Sequence, residues 1–365
     1  MKISVPTSWN DKLIEGLNRI NSRNDNIAEI YGALPTTPVG SARPSLSLPK
    51  VSIEEAKRHI KLAHDSGLSF NYLLNAPCIA GLEYGEYREE IMRYIDTIIS
   101  ELNPDILTIT IPFLIEKVKR KYPSIKIKAS TEARIDNVYS AKFYEELGVS
   151  RICLDSNINR NFAMLREIRN HVNCELEVIV NKSCLLKCPM RIYHGLLMGH
   201  FSQSIFERSN SYTFDFPSLK CTLKKLESPE EIIKSPWIRP EDCLTYEEIG
   251  ISHFKISGRT KPTEWILRCA EAYSNGEYKG NLLDLLDAPG PFKKEGQVYA
   301  LPFFIRNVDL NGFLDFFRDS KCNGLCNKCN YCKKAAERVI KITSSDELKE
   351  RQLTIRNLIF QCLKL

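Results

Sequence analysis

Eight short β-rich runs, separated by amphipathic stretches, constrain this chain more than any other feature. The runs are Lys2–Pro6, Ile27–Tyr31, Leu68–Leu74, Ile106–Ile111, Lys126–Lys128, Arg151–Leu154, Glu175–Val180 and His253–Ile256. Segments such as "SIEEAKRHIKLAHDSG", "FLIEKVKRKYP" and "NFAMLREIRNH" lie between them with apolar residues at helical spacing. Strand and helix alternating about eight times predict an α/β fold, a TIM-like (β/α)8 barrel with a parallel sheet. An open, doubly wound sheet is the competing architecture. It lacks its usual marker, because no Gly-x-Gly-x-x-Gly follows the first run.

One interval breaks the rhythm. Residues 181–252, between the seventh and eighth strands, are far too many for a single helix, so an insertion is expected there. In such barrels the loops after the carboxyl ends of strands build the site. The insertion opens with "NKSCLLKCPMRIYH" right after the seventh strand, which places its cysteines at the mouth. Asn75, Glu132, Asp155 and Arg259 fall at equivalent strand ends. After about residue 290 the alternation stops. The Pro- and Gly-punctuated "DAPGPFKKEG" reads as a linker, dividing a barrel domain (1–290) from a Cys-rich extension (291–365).

The chain has thirteen cysteines. Its opening residues contain no apolar core with a cleavage site, and no apolar run reaches membrane-spanning length. The expected location is therefore cytoplasmic, where clustered thiols mean metal or redox chemistry and not disulfides. Cys78, Cys153, Cys174, Cys269 and Cys362 stand alone in apolar surroundings and read as small buried hydrophobes. The tail "CNGLCNKCNYC" places Cys322, Cys326, Cys329 and Cys332 within eleven residues. Four thiolates suit a [4Fe–4S] cluster or tetrahedral zinc, and this spacing is nearer to ferredoxin-like runs than to a zinc ribbon. Its front half also has the spacing of radical S-adenosylmethionine enzymes, but those carry it after the first barrel strand. The second group is Cys184, Cys188 and Cys221, with Cys243 as a possible fourth. Three thiols would leave one iron differently ligated, and chemistry can happen there.

Together "VNKSCLLKCPMRIYH", Cys221, "SPWIRPEDCLTYEEIGISHFKISGRTKP" and the cysteine tail resemble the collagenase-like peptidase family, peptidase family U32. "FKISGR" matches that family's Lys-x-x-Gly-Arg signature. Despite the name, the resemblance implies oxygen-independent hydroxylation. Better-understood relatives bind a [4Fe–4S] cluster through four cysteines in the barrel mouth. They hydroxylate RNA bases or a ubiquinone precursor, with prephenate as the implied oxygen donor, and some pair as heterodimers. By that pattern Cys184, Cys188 and Cys221 take three ligand positions. The chain departs at the fourth, since residues 189–220 contain no cysteine. One or two clusters are thus expected, with zinc an alternative at the tail.

Charged residues near the mouth have roles in this scheme. Arg191, Arg239 and Arg259 suit a dianionic donor, because guanidinium forks grip carboxylates bidentately, although pairing with Glu241 or Asp242 is the structural alternative. Asn75 and Lys255 join them as candidate substrate-binding residues, Lys255 having a buried ion pair as its alternative. Glu132 and Asp155 are the candidate acid–base groups. The expected function is an iron–sulfur-dependent hydroxylase of a small molecule or a nucleic-acid base. A non-catalytic cluster scaffold serving a related partner protein is the second expectation. Peptidase is third: no Gly-x-Ser-x-Gly or His-Glu-x-x-His occurs, and only Cys184 with His194 could be cast as a protease pair. The net charge of +6 is too slight to claim RNA.

Overall fold

The computed structural model describes residues 1–205, 215–287, 293–294, 297–298 and 301–364. Eight parallel strands close into one ring: β1 (Lys2–Pro6), β2 (Ile27–Gly32), β3 (Ser69–Leu74), β4 (Ile106–Ile109), β5 (Lys126–Ala129), β6 (Arg151–Cys153), β7 (Glu175–Ile179) and β8 (His253–Lys255). The ring shuts where Lys2, Ile3 and Ser4 pair with His253, Phe254 and Lys255. This is the expected (β/α)8 barrel, and the open sheet is excluded.

Local chemistry starts the helices where the pattern places them. Ser52 and Glu55 form a reciprocal capping box at the head of Ile53–Asp65. Pro112 opens Pro112–Lys121, where its missing N–H costs nothing. Ile3, Ile30, Phe70, Leu107, Ile127, Ile152, Val178 and Phe254 alternate outward from the strands and are fully buried in the core shared with these helices.

The opposite faces of the same strands point into the barrel, and there the filling is polar. Glu29 Oε1 accepts from Ser4 Oγ (2.8 Å), Asn71 Nδ2 (2.9 Å) and Lys128 Nζ (3.1 Å). Lys128 also donates to Glu177 Oε2 (2.9 Å), Arg151 donates to Glu29 Oε2 (2.8 Å), and Thr108 donates to Asn71 Oδ1 (2.7 Å). Cys153 sits among these charges, close to Glu177, Lys255 and Lys128. Its expected apolar surroundings are therefore corrected. Below this layer, at the amino ends of the strands, lies a polar cavity of about 430 Å³ lined by Lys2, Glu29, Arg151, Glu175 and His253, among others.

The described part of the insertion after β7 carries the helices Arg191–His200, Phe216–Glu227, Glu230–Lys234 and Cys243–Glu247. The extension folds back onto it. Ser345–Lys364 packs along Phe216–Glu227, where Gln352 donates to Leu226 O (2.9 Å) and Arg356 pairs with Glu227 (2.7 Å). Phe313 stacks on Trp237 at 5.6 Å, so insertion and extension share one apolar core. The boundary expected at residues 290 and 291 lies outside the described residues.

Candidate functional site at the barrel mouth

The mouth is roofed by the helix Arg191–His200. It can lie close because two of its residues have no side chain. A Cβ on Gly195 would stand 3.2 Å from Glu132 Oε2, and one on Gly199 would stand 3.0 Å from Pro77 Cδ. The segment after the helix is tied to the β2 and β3 loops. Thr37 N donates to Ser202 O (3.2 Å) and its carbonyl accepts from Ser204 N (3.0 Å), Ser41 N donates to Ser202 Oγ (2.9 Å), and Gln203 Nε2 donates to Cys78 O (2.6 Å). His194, on the same helix, meets Asp215 at 3.1 Å. Asp215 also caps Phe216–Glu227 through Ser218 N, so this pair joins the roof to the helix that carries Cys221.

Beneath the roof the expected residues Glu132, Asp155 and Arg191 come together. Arg191 NH1 is 3.8 Å from Asp155 Oδ1, and its guanidinium feels the charges of Glu132, Cys184 and Cys188 as well. Its buried NH2 has no hydrogen-bond partner among the described residues. Burial alone would raise the Glu132 pKa, but Arg191, Lys182, Arg43 and Arg134 outweigh it and hold the carboxyl below its usual range. Glu132 is therefore an anion at neutral pH and able to accept a proton. Asn75 reaches Ser130 Oγ with its Nδ2 (3.3 Å) and leaves a buried Oδ1 without a partner.

Three mouth residues were missed in the sequence. Arg43, Lys182 and Asp287 lie on loops, and Arg43 and Lys182 could have been found by extending strand-end reasoning past β2 and β7. Asp287 accepts from Ser257 Oγ (2.8 Å) and faces Arg43 at 3.7 Å. Around Glu132, Asp155 and Asp287 stand Arg43, Arg134, Lys182, Arg191, Arg259 and Lys261, twice as many cations as carboxylates among the described residues. Arg259 is buried behind this group, bonded to Ser41 O and Oγ. Burial, together with Arg43's charge, pulls its pKa down to about 9.

Lys255 lies deeper, with Nζ 3.9 Å from the centre of the Tyr31 ring. The expected alternative of an ion pair does not describe it, since Lys128 and Arg151 already neutralise Glu29 and Glu177. Burial, then Lys128's charge, brings its pKa down to about 8. Arg239 is not a mouth residue, which corrects its expected substrate-binding role. Nε and NH2 grip Asp242 (2.9 and 2.8 Å), and NH1 reaches Asn307 O and Asn311 Oδ1, bracing the insertion against the extension.

The thiols fall into two groups. Cys184, Cys188 and Cys221 feel one another's charge, and the buried Lys225, one turn beyond Cys221, acts on the pair Cys188 and Cys221. Cys243 is elsewhere, in the core, with its thiol 3.6 Å from Arg239 O and the charges of Asp242, Glu247 and Glu241 nearest. The tail thiols of Cys322, Cys326 and Cys329 are exposed and that of Cys332 half-buried, all four within electrostatic reach of one another. Among the described residues no three His, Cys, Asp or Glu side chains are drawn to single-ion geometry. The donor sets nevertheless fit iron–sulfur chemistry. Each is sulfur-only, each has cations beside it, and each has an orphaned buried guanidinium nitrogen nearby, Arg191 NH2 at the mouth and Arg160 Nε at the tail.

A triad-like array also exists. Thr7 Oγ1 meets His59 Nε2 at 2.8 Å, and His59 Nδ1 meets Asp11 Oδ1 at 3.1 Å. Thr7 is 2% exposed and His59 1%, so the array is sealed and ties the β1 loop to the helix behind it.

The profile of peptidase family U32 matches residues 30–200. A protein of Methanocaldococcus jannaschii named an uncharacterized protease is 32% identical over 334 residues, covering 90% of this chain and 95% of its own. Proteins named tRNA hydroxylation protein P are 30% identical in Helicobacter pylori over 57% of this chain and 29% identical in Escherichia coli over 50%. The matches span 52% and 38% of those two relatives. A solved U32 peptidase superposes with a TM-score of 0.52 at 19% identity, over 71% of this chain and 93% of its own, which supports the barrel. No helix among the described residues is long and apolar enough to cross a membrane.

Proposed function

Since the chain belongs to peptidase family U32, with relatives named for tRNA hydroxylation, we propose that it is an iron–sulfur-dependent hydroxylase acting on a base of RNA. The observation that carries this reading is Arg191, set between the thiols of Cys184 and Cys188 and the carboxylates of Glu132 and Asp155, with NH2 unpartnered. Cys184, Cys188 and Cys221 would hold a [4Fe–4S] cluster. When bound, it supplies one-electron transfer and an iron open to a ligand other than cysteine.

The chain's own groups do the rest. Arg191 offers its fork to a carboxylate of an anionic oxygen donor such as prephenate, and the surplus of cations favours such a dianion. Glu132, ionised at neutral pH, accepts a proton from the reacting group. Asn75 Oδ1 can accept an N–H from a base edge. Under the roof helix the Arg191 and Asp155 side chains are only 13% and 6% exposed, which strengthens these contacts. Tyr84 and Tyr193, 71% and 54% exposed, offer faces on which an unpaired base can stack.

Proteolysis finds no such support: the Thr7–His59–Asp11 array is closed to substrate. The test is anaerobic purification with iron and sulfide quantification, then incubation with RNA and prephenate and mass spectrometry of the nucleosides. Gain of one oxygen atom on a base, lost in Cys188→Ser, is expected. Iron present with oxygen gained only by a small molecule would replace RNA as substrate. No iron in the protein would end the proposal.

A further inference from the structure

The tail thiols are seated against the barrel. Arg160 donates to Ile233 O (2.7 Å) and Trp237 O (3.2 Å) and lies over the rings of Trp237, Phe313 and Phe317 at 4.2, 5.0 and 5.3 Å. Tyr331, next to Cys332, stacks on Phe316 at 4.0 Å and Phe313 at 5.5 Å, fixing the tail to the same aromatic wall. Arg160 thus stands beside Cys322 and Cys332 with its buried Nε unpartnered, and Lys234 stands near Cys326. A tetrathiolate centre carries net negative charge, and these cations oppose it. Gly324, at φ +74°, lets the loop turn between Cys322 and Cys326. A Cβ placed on it would lie 3.8 Å from Lys187 Nζ. Lys187 sits between Cys184 and Cys188, its N–H bonded to Asn157. Lys187 therefore reaches from the mouth thiol loop to the tail thiol loop.

We infer that the tail holds a second iron–sulfur centre, seated on Arg160, that passes electrons singly into the centre at the barrel mouth. The inference rests on the proposed function. Its electron source is a low-potential one-electron protein donor of the ferredoxin class. The donor loses one electron to the tail centre, which returns to its oxidised state as the mouth centre is reduced. The exposure of Cys322, Cys326 and Cys329 suits entry from such a donor, while the mouth lies under its roof helix.

The experiment uses the full chain, purified anaerobically, with iron and sulfide counts, paramagnetic resonance after dithionite reduction, and stopped-flow reduction by a reduced ferredoxin. The wild type should hold two clusters whose reduced spectrum is split by mutual interaction. Cys326→Ser/Cys329→Ser and Cys184→Ser should each keep one cluster with a simple spectrum. In the tail variant the mouth cluster should accept electrons from ferredoxin at least tenfold more slowly. Arg160→Gln, which keeps every thiol, should lower the tail centre's midpoint potential, because a neighbouring cation favours the reduced, more negative state. A wild-type spectrum equal to the sum of the two variants, with an unchanged ferredoxin rate, overturns the inference. So does zinc at the tail, or loss of all iron on removing either thiol group. Absence of iron from the mouth alone overturns the proposed function instead.

Discussion

Two groups of charges occupy the same barrel and are built on opposite terms. Midway along the strands, Glu29 and Glu177 are matched by Lys128 and Arg151 through short, buried contacts. At the mouth, cations outnumber carboxylates, and Arg191 NH2 and Asn75 Oδ1 have no hydrogen-bond partner among the described residues; the middle layer leaves Glu177 Oε1 without one, but beside two cations. A matched interior cluster holds a fold together, whereas an unmatched one leaves valence for a ligand. The comparison assigns structure to the middle layer and recognition to the mouth.

The severest way to break it is Lys128→Met. Glu29 and Glu177 would then lose Lys128 and keep Arg151 and the charge of Lys255, and breaking the buried contacts costs about 3–5 kcal/mol. Urea unfolding at neutral pH measures this. The loss should shrink in acid, where a protonated carboxyl no longer needs the partner. A loss under about 1 kcal/mol would show that the layer is not the matched unit described.

Lys255→Met probes the boundary between the groups. Lys255 borders the middle layer, held against the Tyr31 ring, and its pKa is lowered to about 8 from 10.5. Between these values the unfolded chain holds more protons than the folded one, so stability rises with pH across that window. The charged amine costs the fold up to about 3 kcal/mol below the window and nothing above it. The methionine variant should be more stable than wild type at pH 7 and lose that advantage by about pH 10. Thermal unfolding across pH reads it, and an advantage independent of pH would refute the assignment.

Arg191→Lys is the mildest change. It keeps the charge but loses the fork, so turnover should fall about tenfold, near 1.4 kcal/mol, with stability and iron content unchanged. Equal loss of stability would move Arg191 into the structural group.

These contrasts show what was legible beforehand. All eight strands could be read because their outward residues form apolar runs that must be buried against helices. The inward charges were equally visible, as Glu29 in "IAEIYG", Lys128 in "KIKA" and Glu177 in "ELEVI". Their direction was not, because alternation alone cannot tell a barrel's interior from a sheet's wet face. Glu132, Asp155 and Arg191 were found because strand ends and a proline-stopped motif mark the mouth directly. Arg239 was misplaced because nearness in sequence to a cysteine motif says nothing about direction, and its side chain turns towards the extension. Arg43 and Lys182 lie past the strand ends that were read, and Asp287 depends on a loop path that no periodicity encodes.

The closure of the ring between β1 and β8 also orders events in time. Lys2 waits for His253, so the barrel stays an open sheet until most of the chain has been synthesised. Cys184, Cys188 and Cys221 all precede that final strand, and the four tail cysteines follow it. A maturation factor working alongside translation would therefore meet the first three thiols on an unfinished wall, and the last four on a finished one.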